Sequence, residues 1–197
     1  GANVVLVDVD EARLAAATER IGDERCEGVR CDVTDEGDVR DAFLHAAESF
    51  GGVDIVVVNA GVARVGALAD LELEDFEAAV DVNLKGAFLT LREALFQLRR
   101  QATGGNIVLI STKNVFAPGI EFGAYSASKA GAHQLGRVAA LEGAAIGVRV
   151  NLVNADAIFG EAEKLLISEE APIIPVYHYV GVQFRRDGLK GVESNLI

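Results

Sequence analysis

Apolar positions along the chain alternate between two spacings. Short apolar runs occupy residues 3–8, 53–58, 107–110 and 147–153, and a weaker, more polar one 25–31. Between them, apolar residues return every three or four positions over 10–21, 36–50, 72–101 and about 125–145. The first spacing predicts strands and the second helices. The run VDIVVV at 53–58 is nearly all β-branched, which fits a strand buried on both faces of a parallel sheet.

The helical stretches place particular residues inward. Leu14, Ala17, Thr18 and Ile21 share one side of the first, and Val39, Phe43, Ala46 and Ala47 one side of the second, which Gly51 and Gly52 stop. Residues 72–101 read as one long helix with Phe76, Val80, Asn83, Leu84 and Phe88 recurring on a single face. Asn83 then lies among apolar neighbours, where an isolated amide is costly unless paired.

Composition narrows the picture. At 197 residues the chain has the length of one domain, and half its residues are apolar. Eighteen Lys and Arg against 30 Asp and Glu give a net charge of −12, which argues against a nucleic-acid partner or an anionic membrane surface. No apolar run reaches the roughly 20 residues of a membrane span. Two cysteines, Cys26 and Cys31, are too few for a disulfide framework and lack metal-ligand company, which predicts a reducing, cytoplasmic setting and no metal site. The sequence contains no methionine, even at position one, so the numbered chain is expected to start inside a longer gene product.

The candidate chemistry sits in residues 111–129, STKNVFAPGIEFGAYSASK. A strand ends in two hydroxyls, Ser111 and Thr112. A loop with Pro118 and Gly119 follows, then Tyr125 and, four residues on, Lys129. Positions four apart on a helix share a face, so phenol and ammonium point into the same space. A nearby lysine charge favours the phenolate and brings a tyrosine closer to proton exchange at neutral pH. A hydroxyl from the strand end could hold a carbonyl or alcohol oxygen beside the phenol, which makes a three-residue proton-transfer site.

This order of strand, hydroxyls, loop, Tyr, Lys and helix resembles the short-chain dehydrogenase/reductase family. The resemblance covers residues 1–159 and implies an α/β, Rossmann-like, doubly wound and mostly parallel sheet with helices on both faces. It implies that Tyr125 is the acid/base, Lys129 its tuner and a ribose ligand, and Asn83, in DVNLKG, the holder of a relay water. The family's serine falls thirteen residues before the tyrosine, at Thr112; Ser111 is the alternative hydroxyl. Asp8, closing the strand at 3–8, would accept hydrogen bonds from the adenine ribose and repel a 2′-phosphate, favouring NAD over NADP. Asp32 and Val33 would lie against the adenine, and Asn59-Ala60-Gly61 under the cofactor, where small residues allow close backbone approach. Plainer readings compete: Asp8 as a helix cap, Asp32 with Thr34 and Asp35 as a helix-initiating turn, Asn59–Gly61 as an ordinary turn, Asn83 as a structural amide at a kink near Gly86. The family also implies a homo-oligomer assembled through the last two long helices, where Ala127, Ala130, Gly131, Leu135 and Val138 offer small apolar surfaces.

Two departures stand against the pattern. The family's glycine-rich phosphate turn, Gly-x-x-x-Gly-x-Gly, does not occur in the sequence, so NAD binding is expected to be weak or absent, and the sheet is expected to lack its first, central strand. From residue 160 the sequence resembles the C-terminal part of periplasmic oligopeptide-binding proteins instead, centred on EEAPIIPVYHYV, with His178 in a structural strand. The chain thus reads as a dehydrogenase core, 1–159, joined to a foreign helix–strand tail, 160–197. The strand at 172–182 is expected to enter the main sheet, in its central slot between 3–8 and 53–58 or at the edge beside 147–153. The leading expectation is an NAD-dependent oxidoreductase of a secondary alcohol or carbonyl, with a sugar-derived substrate as one option. The competing ones are a non-catalytic oligomeric scaffold or small-molecule binder, and a hydrolase built on exposed Ser111, Thr112 and Lys129, which lacks a Gly-x-Ser-x-Gly elbow.

Overall fold

The computed structural model describes residues 2–22 and 25–154. Strand β1 (Val4–Asp8) leads to helix α1 (Glu11–Ile21), then β2 (Cys26–Arg30), α2 (Glu36–Phe50) and β3 (Ile55–Val58). Helix α3 (Leu73–Val80) runs through a wide π turn (Asp81–Lys85) into α4 (Gly86–Gln101). Strand β4 (Gly105–Ser111), a short 3₁₀ turn (Lys113–Val115), α5 (Gly123–Ala144) and β5 (Val148–Asn154) complete the described chain. The architecture is the expected α/β one, with every strand pairing parallel.

Helix ends follow local chemistry. Asp10, not Asp8, caps α1: its carboxylate accepts from the Ala12 and Arg13 N–H groups, and Gly22 closes the helix at φ 57°. Asp35 caps α2 through the Asp38 N–H, and Gly51 ends it at φ 81°.

Among the described residues the strands form two sheets, β1-β2 and β3-β4-β5. The β1-β2 sheet is covered on both faces. Gly28 lies against α1, where an added Cβ would come within 2.9 Å of Thr18 Oγ1, while Val7 and Val29 pack with Val39 and Ala42 of α2. The larger sheet turns one face to α4 and α5, and its core holds Val56, Val58, Leu91, Leu98, Ile107 and Leu109. β3 therefore alternates. Val56 and Val58 are buried but Ile55 is 55% exposed, against the expected two-face burial, because α4 and α5 both lie on one side. The in-sheet placement of 172–182, the 160–197 tail and His178 fall outside the described residues.

The helix expected over 72–101 is interrupted. At the π turn the Gly86 N–H reaches the Asp81 carbonyl, five residues back. The wide turn takes in an extra residue, so buried positions step by four through Ala79, Asn83, Ala87 and Leu91. A 3.6-residue face carried across it goes out of phase, and Phe76 and Phe88, expected inward, are 39% and 43% exposed. No helix among the described residues is long and apolar enough to cross a membrane.

Candidate active site

All strands run parallel, so their C-terminal ends open on one side of each sheet, the side where open α/β sheets bind ligands. Helix α5 begins at that side. It brings Tyr125 and Lys129 onto one face, with Tyr125 half-buried and packed edge-on against Phe122, ring centroids 6.1 Å apart. Lys129 is only 6% exposed, and its Nζ donates to the Ile110 carbonyl near the end of β4 at 3.2 Å. Burial holds its pKa below the ordinary lysine value.

Asn83 sits at the centre of a hydrogen-bonded chain. Its Oδ1 accepts the Val62 N–H at 2.8 Å, and its Nδ2 donates to the Val62 carbonyl at 2.9 Å and to Ser128 Oγ at 3.0 Å. Ser128 in turn donates to the Tyr125 carbonyl at 3.0 Å. Both amide hydrogens are therefore committed within the protein, and the side chain acts as a clamp between the loop after β3, the π turn and α5. A relay water on Asn83 would have to use the second lone pair of Oδ1 or the backbone.

The Asn59-Ala60-Gly61 corner closes over this chain. A Cβ on Gly61 would stand 3.1 Å from both Asn83 Oδ1 and Lys129 Nζ, so the position has room only for glycine unless the lysine moves. Gly131 has a similar reason: its Cβ would meet Leu84 at 2.9 Å. That glycine serves packing between α5 and the π turn, not a free surface.

The two hydroxyls at the end of β4 diverge. Ser111 Oγ lies 2.9 Å from His133 Nδ1 of α5, on the α5 side of the sheet. Thr112, extended at φ −149°, caps the 3₁₀ turn by accepting the Asn114 N–H at 3.3 Å. Both are buried, at 3% and 4% exposure, which contradicts the exposed Ser111, Thr112 and Lys129 that a hydrolase would need. With α5 screening that face, a substrate cannot reach Ser111 as a nucleophile.

The remaining candidates belong to the smaller sheet. Asp8 ends β1 half-buried and holds the Asp10 N–H through Oδ1 at 2.9 Å. Asp32 Oδ1 accepts from the Thr34 N–H at 2.9 Å and the Thr34 hydroxyl at 2.8 Å. These bonds lower its pKa below the ordinary aspartate value. The Asp32–Thr34 turn leading to Asp35 thus exists as a helix-initiating turn. Val33 packs on Gly86, whose added Cβ would stand 2.8 Å from Val33 Cγ2, and ties this loop to the start of α4. The structure joins Asn83, Gly61 and Lys129 in one cluster, with Tyr125 tied to it through Ser128. It shows no hydrogen bond between that cluster and Asp8, Asp32 or Val33. Ser128 and His133 escaped the sequence reading. Both follow from helical spacing, Ser128 three residues and His133 eight residues after Tyr125.

The chain's residues 1–169 match the family model described as short chain dehydrogenase. The chain belongs to the short-chain dehydrogenase family. It is 38% identical over 162 residues to the uncharacterized oxidoreductase YuxG of Bacillus subtilis, covering 80% of this chain and 24% of YuxG. To D-threitol dehydrogenase of Mycolicibacterium smegmatis it is 33% identical over 163 residues, covering 82% of this chain and 62% of that protein. The fold is also that of the 3-ketoacyl-(acyl-carrier-protein) reductase from Brucella melitensis solved with NADH, at 28% identity and a TM-score of 0.74 over 78% of this chain and 65% of that one. The chain thus spans less than two thirds of the length of each of these proteins.

Proposed function

We propose that this chain carries the proton-transfer site of an NAD-dependent oxidoreductase that interconverts a secondary alcohol, of the sugar-derived polyol class, and its ketone. The observation that carries the reading is Lys129, buried to 6% exposure one helical turn after Tyr125, with its Nζ held at the end of β4. A buried ammonium acts on its neighbours in a low dielectric, where charge–charge effects are strongest. It favours the Tyr125 phenolate, so the phenol accepts the alcohol proton in oxidation and returns it in reduction. Thr112, 4% exposed and accepting the Asn114 N–H, would have to turn its hydroxyl outward to hold the reacting oxygen beside the phenol. Asn83 and Ser128 fix the backbone from which Tyr125 projects.

The residues at hand fit part of a dinucleotide. Gly61 packs its backbone against Asn83 Oδ1 and Lys129 Nζ, where a Cβ would stand 3.1 Å from each, so this corner lies beside the lysine that would meet the ribose. Lys129 and the Asn59-Ala60-Gly61 corner would hold the nicotinamide ribose, Asp8 the adenine ribose, and Asp32 and Val33 the adenine side. Bound there, NAD supplies the hydride acceptor.

Relatives named as a dehydrogenase of threitol and a reductase solved with NADH support this reading over a non-catalytic scaffold. Assembly is part of the proposal. Phe88, Leu95, Phe96, Leu135 and Val138 line an apolar groove between α4 and α5, suited to a second copy of this chain, in the cytoplasm. The reading is tested by Tyr125→Phe. With NAD and D-threitol as probe, kcat is expected to fall by orders of magnitude while circular dichroism stays unchanged. Turnover equal to the parent would overturn the assignment.

A further inference from the structure

We propose that His133 is a positioning residue of this site: by holding the Ser111 hydroxyl it locks the end of β4 against α5, and so sets the Thr112 hydroxyl relative to the Tyr125 phenol. The inference rests on the proton-transfer role proposed above for Tyr125.

Tyr125, Lys129 and His133 stand at i, i+4 and i+8, so they form one slowly turning stripe along α5. The second and third members grip consecutive residues of β4. Lys129 Nζ takes the Ile110 carbonyl at 3.2 Å, and His133 Nδ1 shares a hydrogen bond with Ser111 Oγ at 2.9 Å. Ser111 is 3% exposed, so its hydroxyl has no water to fall back on, and losing the imidazole leaves a buried polar group unpaired. The next residue is Thr112.

The imidazole also reaches past the strand. Its ring stands edge-on to Phe116, with centroids 5.2 Å apart at 89°. Phe116 ends the 3₁₀ turn whose first backbone bonds Thr112 caps. One side chain therefore touches the residue before Thr112 and the turn after it. Such a corner matters because hydroxyl-to-oxygen alignment is set on a scale well below 1 Å, and a misplacement of about 1 Å can cost about a hundredfold in rate.

Three variants separate the hydrogen bond from the ring. His133→Asn keeps a polar atom near the position of Nδ1. His133→Phe keeps an aromatic edge for Phe116 without that atom. Ser111→Ala removes the same bond from the other side. We expect His133→Phe and Ser111→Ala each to lower kcat about tenfold with KM for NAD unchanged, and His133→Asn to retain most of kcat. The double variant Ser111→Ala/His133→Phe should fall no further than either single one, because both remove one interaction. A second readout needs no turnover: the Tyr125 phenol ionisation, followed by ¹³C NMR at its Cζ and assigned with Tyr125→Phe. Its midpoint should move in the same direction and by a similar amount in His133→Phe and Ser111→Ala, and stay near the parent in His133→Asn. Unchanged kcat and an unchanged phenol midpoint in Ser111→Ala would overturn the inference. So would a His133→Phe variant that keeps kcat while His133→Asn loses it, which would assign the effect to the ring's packing on Phe116. If His133→Phe does not fold, Ser111→Ala and His133→Asn decide alone. Absence of NAD-linked turnover in the parent would sink the proposed reaction, and the phenol titration would still decide the role of His133.

Discussion

Around β1 and β2 the buried side chains are Leu14, Cys26, Cys31, Val39 and Ala42. Around β3, β4 and β5 the buried set includes Asn83, Gln97, Ser111, Thr112, Ser128 and Lys129. The first region is an ordinary apolar core in which even the thiol of Cys31 is pushed up to about 11 by burial, and so stays an inert hydrophobe. The second takes on desolvation that an apolar core avoids, and recovers it through bonds to specific partners. Gln101, for example, accepts from the Val53 N–H and from Gln97, both at 2.8 Å, and donates back to the Val53 carbonyl. Gln97 and Gln101 tie the end of α4 to the chain entering β3, while the other buried polar side chains gather at the C-terminal ends of the strands, in the cluster proposed for proton transfer.

The sharpest way to break that contrast is to remove the buried charge. Lys129→Met replaces an ammonium that is unfavourably desolvated with an apolar chain of similar reach. Turnover should fall by about 10²- to 10⁴-fold, the usual size of an acid–base contribution. Stability should not fall with it, since the lost bond to Ile110 is offset by relief of a buried charge. A thermal midpoint that drops steeply would instead mean that Lys129 is there for the fold.

Asn83→Ala tests the opposite case, a polar residue the fold does need. It strips a partner from the Val62 N–H and carbonyl and from Ser128, and the expected cost is about 3 kcal/mol. Gly28→Ala in the other region meets Thr18 and Leu14 at 2.9 and 3.0 Å and should cost about 1–3 kcal/mol by overpacking. Urea unfolding of both variants compares the two cores directly. Equal small losses would show that the Asn83 clamp is replaceable by water.

What was legible in the sequence follows the range of the forces involved. Strand runs, the stops at Gly51 and the helix from Gly123 depend on neighbours within a few residues, and the sequence reading found them. A kink near Gly86 with Asn83 as its structural amide was one reading, but the π turn itself did not show, because DVNLK has no breaker; it packs Val33 on Gly86 and Val62 on Asn83, partners 53 and 21 residues distant. Asp8 and Asp10 look alike as caps, and only the backbone path assigns the cap to Asp10. Tyr125 and Lys129 were readable because four residues on a helix fix their relation. That Ser111 turns to His133 depends on which face α5 covers, a matter of tertiary packing.

A smaller effect sharpens the cofactor side. Asp8 keeps one carboxylate oxygen on the Asp10 N–H, which aims the group rather than consuming it. Asp8→Ser removes the charge that would repel a 2′-phosphate, so the ratio of NADPH to NADH affinity should rise by about tenfold. Fluorescence titration with both nucleotides reads it, and an unchanged ratio would remove Asp8 from the site.

The smallest expected effect separates the two regions by pH. His133 faces Ser111 of β4, Phe116 of the 3₁₀ turn and Arg137 of its own helix, and burial followed by the Arg137 charge holds its pKa below 6.5. The unfolded chain then binds a proton at that site before the folded one does, so stability falls as pH drops from 6.5 towards the folded value. Glu27 of β2 bonds Ser49 and His45 of α2 at 2.9 and 2.6 Å, which lowers its pKa below 4.5. Its contribution is present above 4.5 and is lost only as pH falls through that lower window. Thermal midpoints of His133→Asn should therefore depend less on pH just below 6.5, and those of Glu27→Gln less below 4.5, each leaving the other window intact. A Glu27→Gln profile that flattened near pH 6 instead would mean that the two regions do not titrate apart.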